Sequence, residues 1–244
     1  MKKIMFDDHY GLEQAVLAGT KTMTRRALPK RVLKMLELSM MPALIIPVSA
    51  FPDGLSIEEF VEQFANQPQK PIIVRNDAEI IQPKLDDILK EVLKYSTYQV
   101  GEVVAIAQRY TDIVWRTNPN CEIPDLSAEG ELYMSKGWRN KMYVKAELMP
   151  YRIRITNVRI ERLQDISDED CLREGLDERI VPDGFGGIIK DYSYKNSKGI
   201  YCCPREGFYS LINAISGKET WDKNPWVFVY EFELVNEVKS IWNS

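Results

Sequence analysis

Apolar positions along this chain change their spacing several times, and each change marks an element. From Tyr10 to Ala18, Leu12, Val16 and Leu17 share one side of a predicted helix. Gly19 is its expected stop, because glycine enters the left-handed region without steric cost. Lys3 to Phe6 predicts a short opening strand, and Val100 to Ala107 predicts a second one, entered through Gly101. Tyr151 to Leu163 predicts the clearest strand. Ile153 and Ile155 lie on one of its faces, but Val158 and Ile160 have the opposite parity, so a bulge or bend is expected at Thr156-Asn157. Trp226 to Val235 predicts a closing strand, in which Phe228, Tyr230, Phe232 and Leu234 alternate with Val227, Val229, Glu231 and Glu233.

Between these strands the pattern turns helical twice more. Ser167 can cap a helix whose first turn holds Asp168, Glu169 and Asp170, charges that suit the positive end of the helix dipole, and Gly175 stops it. Pro204 to Ile215 predicts a helix with Phe208, Leu211, Ile212 and Ile215 inside and Gly217 behind. Thr111 to Gly137 reads as turn-rich, and Trp138 to Met142 as the start of another strand. Residues 177 to 201 read as a long mobile loop. Gly184, Gly186 and Gly187 within it are no phosphate cradle, since no helix follows them.

The segment from about 27 to 97 has a different character. Pro29, Pro42, Pro47, Pro52, Pro68, Pro71 and Pro83 interrupt it, with helical patterns at 31–38, 56–65 and 84–95 between them. It reads as a mostly helical insertion into a core of about 1–26 and 98–235, the whole of 1–244 forming one domain. Strands separated by single helices and long connections imply an α+β fold with a small mixed β-barrel.

Composition narrows the functional classes. A chain of 244 residues buries enough apolar surface to fold without disulfides or a metal. No run of ~18 apolar residues predicts a membrane span, and Met1-Lys2-Lys3-Ile4 is not followed by the apolar stretch of a secretory signal, so a cytoplasmic protein is expected. Cys121, Cys171, Cys202 and Cys203 have no C-x-x-C spacing, and His9 is the only histidine. Reduced thiols are therefore expected, with no metal site and no cofactor. With a net charge of −4, contact with nucleic acid would have to be local.

Against that acidic background, Lys21, Arg25, Arg26, Lys30, Arg31 and Lys34 form a run of six cations without a carboxylate. It begins in Gly19-Thr20-Lys21-Thr22-Met23-Thr24-Arg25-Arg26, a turn carrying hydroxyls, one amine and two guanidiniums that can bind oxyanions bidentately. Two readings stand: a polar binding cluster, or a solvated basic face with ordinary strand threonines. Trp138, Trp226, Tyr230 and Phe232 likewise read either as platforms for a nucleic-acid base or as core. Arg152, Arg154, Arg159 and Arg162 either extend the basic surface or pair with neighbours such as Glu147 and Glu161.

The spacing Gly19-x-Lys21-x-x-Thr24-x-Arg26, placed after the first helix, resembles the signature of ASCH domains, small β-barrels related to the PUA fold. Gly101-Glu102-Val103-Val104, the strand–helix pair from Tyr151 to Gly175 and the last strand from Val227 to Val235 follow in the family's order. Val158 to Ser167 and Asn224-Pro225-Trp226-Val227 resemble the larger ASCH proteins of phages and prophages. The resemblance covers roughly 3–26, 98–176 and 204–235, and leaves the insertion outside.

It implies binding of RNA or a modified nucleoside in a cationic, hydroxyl-rich cleft, with Gly19, Thr22, Arg25 and Arg26 as substrate-binding residues. One compact branch of the family hydrolyses the amide of cytidine acetylated at its exocyclic amine. The corresponding catalytic residues here are Thr24 as nucleophile, Lys21 as base and Glu174 as acid. Lys21 can serve as a base only with its pKa well below the ordinary ~10.4, and the cations Arg25 and Arg26 push that way. Lys21 and Thr24 converge only if the chain turns between them, because residues three apart on a strand face opposite ways. A third reading makes the chain a phage-derived scaffold or interaction protein.

Overall fold

The computed structural model describes residues 1–40, 44–47, 72–75, 85–117 and 135–235. Two compact units emerge: Met1–Arg26 with Tyr98–Ser244, and Ala27–Thr97.

The first unit is α+β. Its sheet contains β1 (Lys3–Ile4), β2 (Met23–Ala27), β5 (Val103–Ile106), β6 (Arg152–Arg162) and β9 (Trp226–Val235), in the order β1-β5-β6-β9-β2. β1 runs parallel to β5, whereas β5 with β6 and β6 with β9 are antiparallel. The register of β6 on β9 shifts between Ile155 and Asn157, where the change of parity predicted a bulge. Ile153 and Ile155 are buried before the shift. On β9, residues 226 to 230 are buried on both faces, so this strand lies inside the sheet rather than half against water.

The sheet is curled. A flat sheet would hold β1 and β9 about 14 Å apart, at ~4.8 Å per strand, yet the Phe6 ring, two residues past β1, is 5.6 Å from the Phe232 ring on β9. The Arg26 guanidinium, near the end of β2, donates to the Met5 carbonyl just after β1, joining the two outer strands.

Helices α1 (Leu12–Leu17), α4 (Tyr110–Thr117), α5 (Asp168–Arg173), α6 (Pro204–Ser216) and α7 (Thr220–Lys223) belong to the same unit. Leu12 and Val16 of α1 and Phe208 and Leu211 of α6 are buried. Ile215 is 38% exposed, not inside as its spacing predicted, because α6 ends one residue later and its last turn reaches water.

Three local expectations are corrected. Tyr110–Thr117 is a helix and not a turn region; Tyr110, Ile113 and Val114, at i, i+3 and i+4, are buried on one side of it. The expected strand at Trp138 to Met142 is a pair of 3₁₀ turns, Lys136–Trp138 and Lys141–Tyr143. Asn140 caps the second by accepting from the Met142 N–H at 2.9 Å, and the Lys141 ammonium is drawn to the Phe6 carbonyl and Asp8. The expected loop after Gly175 contains an antiparallel hairpin, β7 (Asp177–Pro182) with β8 (Ile188–Ser193). Asp183 Oδ1 closes its tip by accepting from the N–H groups of Phe185 and Gly187, each at 2.8 Å.

The second unit holds α2 (Lys30–Met40) and α3 (Leu85–Leu93), packed through Val32, Leu36, Ile88 and Val92. It also holds a parallel pair, β3 (Leu44–Pro47) with β4 (Ile72–Arg75), which the helical periodicity did not predict. The helical pattern at 56–65 lies outside the described residues.

Candidate functional site

The turn after α1 carries the motif inward. Gly19 has φ +76°, and the backbone N–H groups of Thr20 and Lys21 both reach the Ala15 carbonyl at 3.0 Å. That wrap reverses the chain before β2 starts at Met23. Thr22 is then fixed on both sides: its N–H donates to the Arg173 carbonyl at 3.0 Å, and its carbonyl accepts from Phe232 N–H at 2.9 Å. Lys21, entering the strand from the turn, is 1% exposed.

Its Nζ donates to Glu174 twice, to the backbone carbonyl at 2.6 Å and to Oε2 at 2.7 Å. Glu174 caps the C-terminal end of α5, whose N-terminal end is set by Ser167 Oγ accepting from the Asp170 N–H at 3.1 Å. Gly175 follows with φ +102°, and a Cβ there would lie 3.2 Å from Leu12 Cδ2 and 3.4 Å from Lys21 Cδ. The positive φ, rarely adopted by other residues, favours glycine at this turn beside Lys21.

Arg25 arrives from β2 to bind the other Glu174 oxygen, with Nη1 3.1 Å from Oε1. Its Nε donates to Glu161 Oε1 at 2.8 Å and its Nη2 to Asp170 Oδ2 at 2.9 Å. Beyond it, Arg159 contacts Glu161, Asp170 and Glu231, while Arg173 joins Glu231 at 2.8 Å, Asp170 at 3.4 Å and Thr22 Oγ1 at 3.2 Å. Four cations (Lys21, Arg25, Arg159, Arg173) therefore meet four carboxylates (Glu161, Asp170, Glu174, Glu231). The cationic run of the sequence is, at Lys21 and Arg25, the inner half of a balanced ion-pair network. Its acidic half comes from β6, α5 and β9 and could not be read from the motif.

Burial pushes the Lys21 ammonium below its ordinary pKa; Glu174 opposes this, and Arg26 and Arg25 reinforce it. Burial also works against the Arg25 charge, but Glu174 and Glu161 outweigh it and raise its pKa. Thr24 is buried on β2, beside Arg25 in the chain. Gly19 and Arg26 are exposed at the rim. Of the aromatic candidates, Trp226, Tyr230 and Phe232 are buried in the sheet and Trp138 packs on the core beside Tyr110, so all four serve the core. The Arg162 guanidinium covers the Trp226 ring at 4.4 Å.

A second buried polar cluster, not expected from the sequence, lies at the start of α1. Glu13 Oε1 accepts from Gln108 Nε2 at 2.7 Å, and Lys141 Nζ bonds Asp8 Oδ1 at 2.8 Å while sitting 3.9 Å from Glu13 Oε2. Burial, with Asp8 as hydrogen-bond partner, pushes the Glu13 carboxyl up to about 7. The only advance signal was a glutamate among the apolar positions of the helix.

Comparison with protein-family models, with curated proteins and with solved structures returned no match. Among the described residues, no helix is long and apolar enough to cross a membrane.

Proposed function

We propose that this chain is an ASCH-type domain, its curled sheet a PUA-like barrel, which binds a modified nucleoside and removes an acyl group from the exocyclic amine of cytidine. The observation that carries the reading is the buried Lys21–Glu174 couple at 2.7 Å. A lysine and a carboxylate held together away from water are placed to pass a proton directly between them. The motif resemblance at Gly19 to Arg26 supplies the substrate class.

In the reactive form the shared proton sits on Glu174 and Lys21 is neutral. Thr24 Oγ attacks the acyl carbonyl as Lys21 takes its proton. The tetrahedral adduct collapses, the C–N bond breaks, and Glu174 protonates the departing nitrogen. The couple is then Lys21 ammonium and Glu174 carboxylate, with the acyl group on Thr24. Water attacks that ester, giving a proton to Glu174, and the Thr24 alkoxide takes one from Lys21. The acid is released, the Thr24 hydroxyl is regenerated, and the couple returns to its starting form. Arg25 bonds Glu174, Glu161 and Asp170 together, which holds the Glu174 carboxyl in place beside Lys21.

Neutralisation of Lys21 and Arg25 by carboxylates favours an uncharged nucleoside over a phosphate-tracking RNA surface, the other reading of the motif. The test is acetate release from acetylated cytidine by wild type, Thr24→Ala and Lys21→Met. Turnover by wild type and its loss in both variants is expected. No release by folded wild type, together with RNA binding that weakens steeply with salt, refutes the hydrolase and leaves RNA binding.

A further inference from the structure

The geometry points to a thiophilic metal site, suited to Zn²⁺, formed by Cys202, Cys203 and Glu206 where α6 begins. One ligand atom from each residue lies within 4.8 Å of the other two. Tetrahedral zinc with Zn–S of ~2.3 Å and Zn–O of ~2.1 Å needs separations of about 3.6–3.8 Å, which side-chain rotation about the present positions can reach. Cys202 Sγ and Glu206 Oε2 are 3.1 Å apart, so this pair opens slightly to admit the ion. The histidine count and C-x-x-C spacing argued against zinc, but they do not register a carboxylate one helical turn beyond paired thiols.

The backbone carrying these ligands is held in place before any metal arrives. Tyr201, the residue before Cys202, exchanges two backbone hydrogen bonds with Tyr192 of β8, each at 2.9 Å. Its hydroxyl donates to Ser210 Oγ on α6 at 2.6 Å, and Tyr194 shares the same oxygen at 2.9 Å. Cys203 is the residue that caps α6, and Glu206 lies in the first turn. The ligands thus stand on a hairpin strand's anchor and on a thirteen-residue helix, not on a loose tail.

Electrostatics agree with this placement. Two thiolates, one carboxylate and Zn²⁺ sum to a charge of −1, which the positive end of the helix dipole stabilises. Binding replaces two thiol protons, which leave to solvent, and the fourth coordination position stays open to water, as in sites with three protein ligands. The helix bearing the site also places Phe208 6.0 Å from the Arg25 guanidinium, so its N-terminal end is tied to the ion-pair network.

The test is zinc titration of the reduced, chelator-stripped full chain against a chromophoric chelator, with Co²⁺ absorption as a second readout. One equivalent, a thiolate-to-cobalt charge-transfer band and release of about two protons per zinc are expected. Cys202→Ser and Cys203→Ser should each weaken binding beyond the ~10–100-fold typical of an outer-sphere partner. Glu206→Gln, at an exposed position, should weaken it about tenfold without altering the fold, and Cys171→Ala, at a buried thiol outside the trio, should leave it unchanged. Zinc binding that survives loss of both thiols, or wild-type affinity no tighter than about millimolar, overturns the proposal.

Discussion

Glu174→Gln tests the ion-pair network most directly, because it removes the charge that Lys21 and Arg25 share while keeping the side chain's size. Arg25 retains Glu161 and Asp170, so its loss is small. Lys21 retains the Glu174 backbone carbonyl at 2.6 Å and whatever the amide oxygen offers, but no carboxylate partner among the described residues. A buried charge left without its partner costs about 3–5 kcal/mol. Lys21 has an escape, since it can lose its proton on folding. At pH 7 that costs about 5 kcal/mol from an ordinary pKa of ~10.4, and at pH 9 about 2 kcal/mol. The penalty is therefore capped, and the cap falls as pH rises. The sign follows from linkage: burial lowers the folded-state pKa of Lys21, so between it and ~10.4 the unfolded chain binds more protons and stability climbs with pH. Urea unfolding of wild type and variant, followed by tryptophan fluorescence, should show a loss of about 3–5 kcal/mol at pH 7, shrinking to about 2 kcal/mol or less at pH 9. Lys21→Met should cost less than Glu174→Gln, because Glu174 keeps Arg25 at 3.1 Å. A loss under about 1 kcal/mol at pH 7, the value of an exposed pair, or a loss independent of pH, refutes the argument.

Gly175→Ala places a Cβ 3.2 Å from Leu12 and 3.4 Å from Lys21 on a backbone at φ +102°, and should cost about 1–3 kcal/mol in the same unfolding assay. Glu13 has a folded-state pKa raised by burial to about 7, so its contribution is fully present below about 4.5 and lost as pH rises through 7. Glu13→Gln should therefore gain about 3 kcal/mol relative to wild type at pH 8 over its difference at pH 4; equal differences at the two pH values would remove the pH argument. Burial pushes the Cys171 thiol up to about 12, whereas Cys202 is exposed. Alkylation of the folded chain at pH 8, read by peptide mass spectrometry, should label Cys202 and spare Cys171; early labelling of Cys171 would contradict its burial.

Elements whose cause is local were legible in the chain. The side of α1 comes from Leu12 and Val16, its end from Gly19, the start of α5 from the Ser167 cap, and the bulge in β6 from the parity change after Ile155. Each follows from backbone geometry within a few residues. Readings failed where a distant partner decides. Trp138 to Met142 turns rather than extends because Asp8 and the Phe6 carbonyl, more than 130 residues earlier, draw in Lys141. The hairpin after Gly175 is fixed by pairing between two strands whose glycine-rich connection resembled a loop. The same division runs through the candidate site. Sequence alone determined a chain reversal at Gly19 and a cluster of amine, hydroxyl and guanidinium groups after it. Only the tertiary structure decided their charge state and exposure, by bringing Glu174 from 153 residues away to Lys21 and surrounding Arg25 with Glu161 and Asp170. Periodicity records which side of an element avoids water, whereas the sign of a buried charge's neighbour depends on contacts between strands and helices that no local spacing encodes.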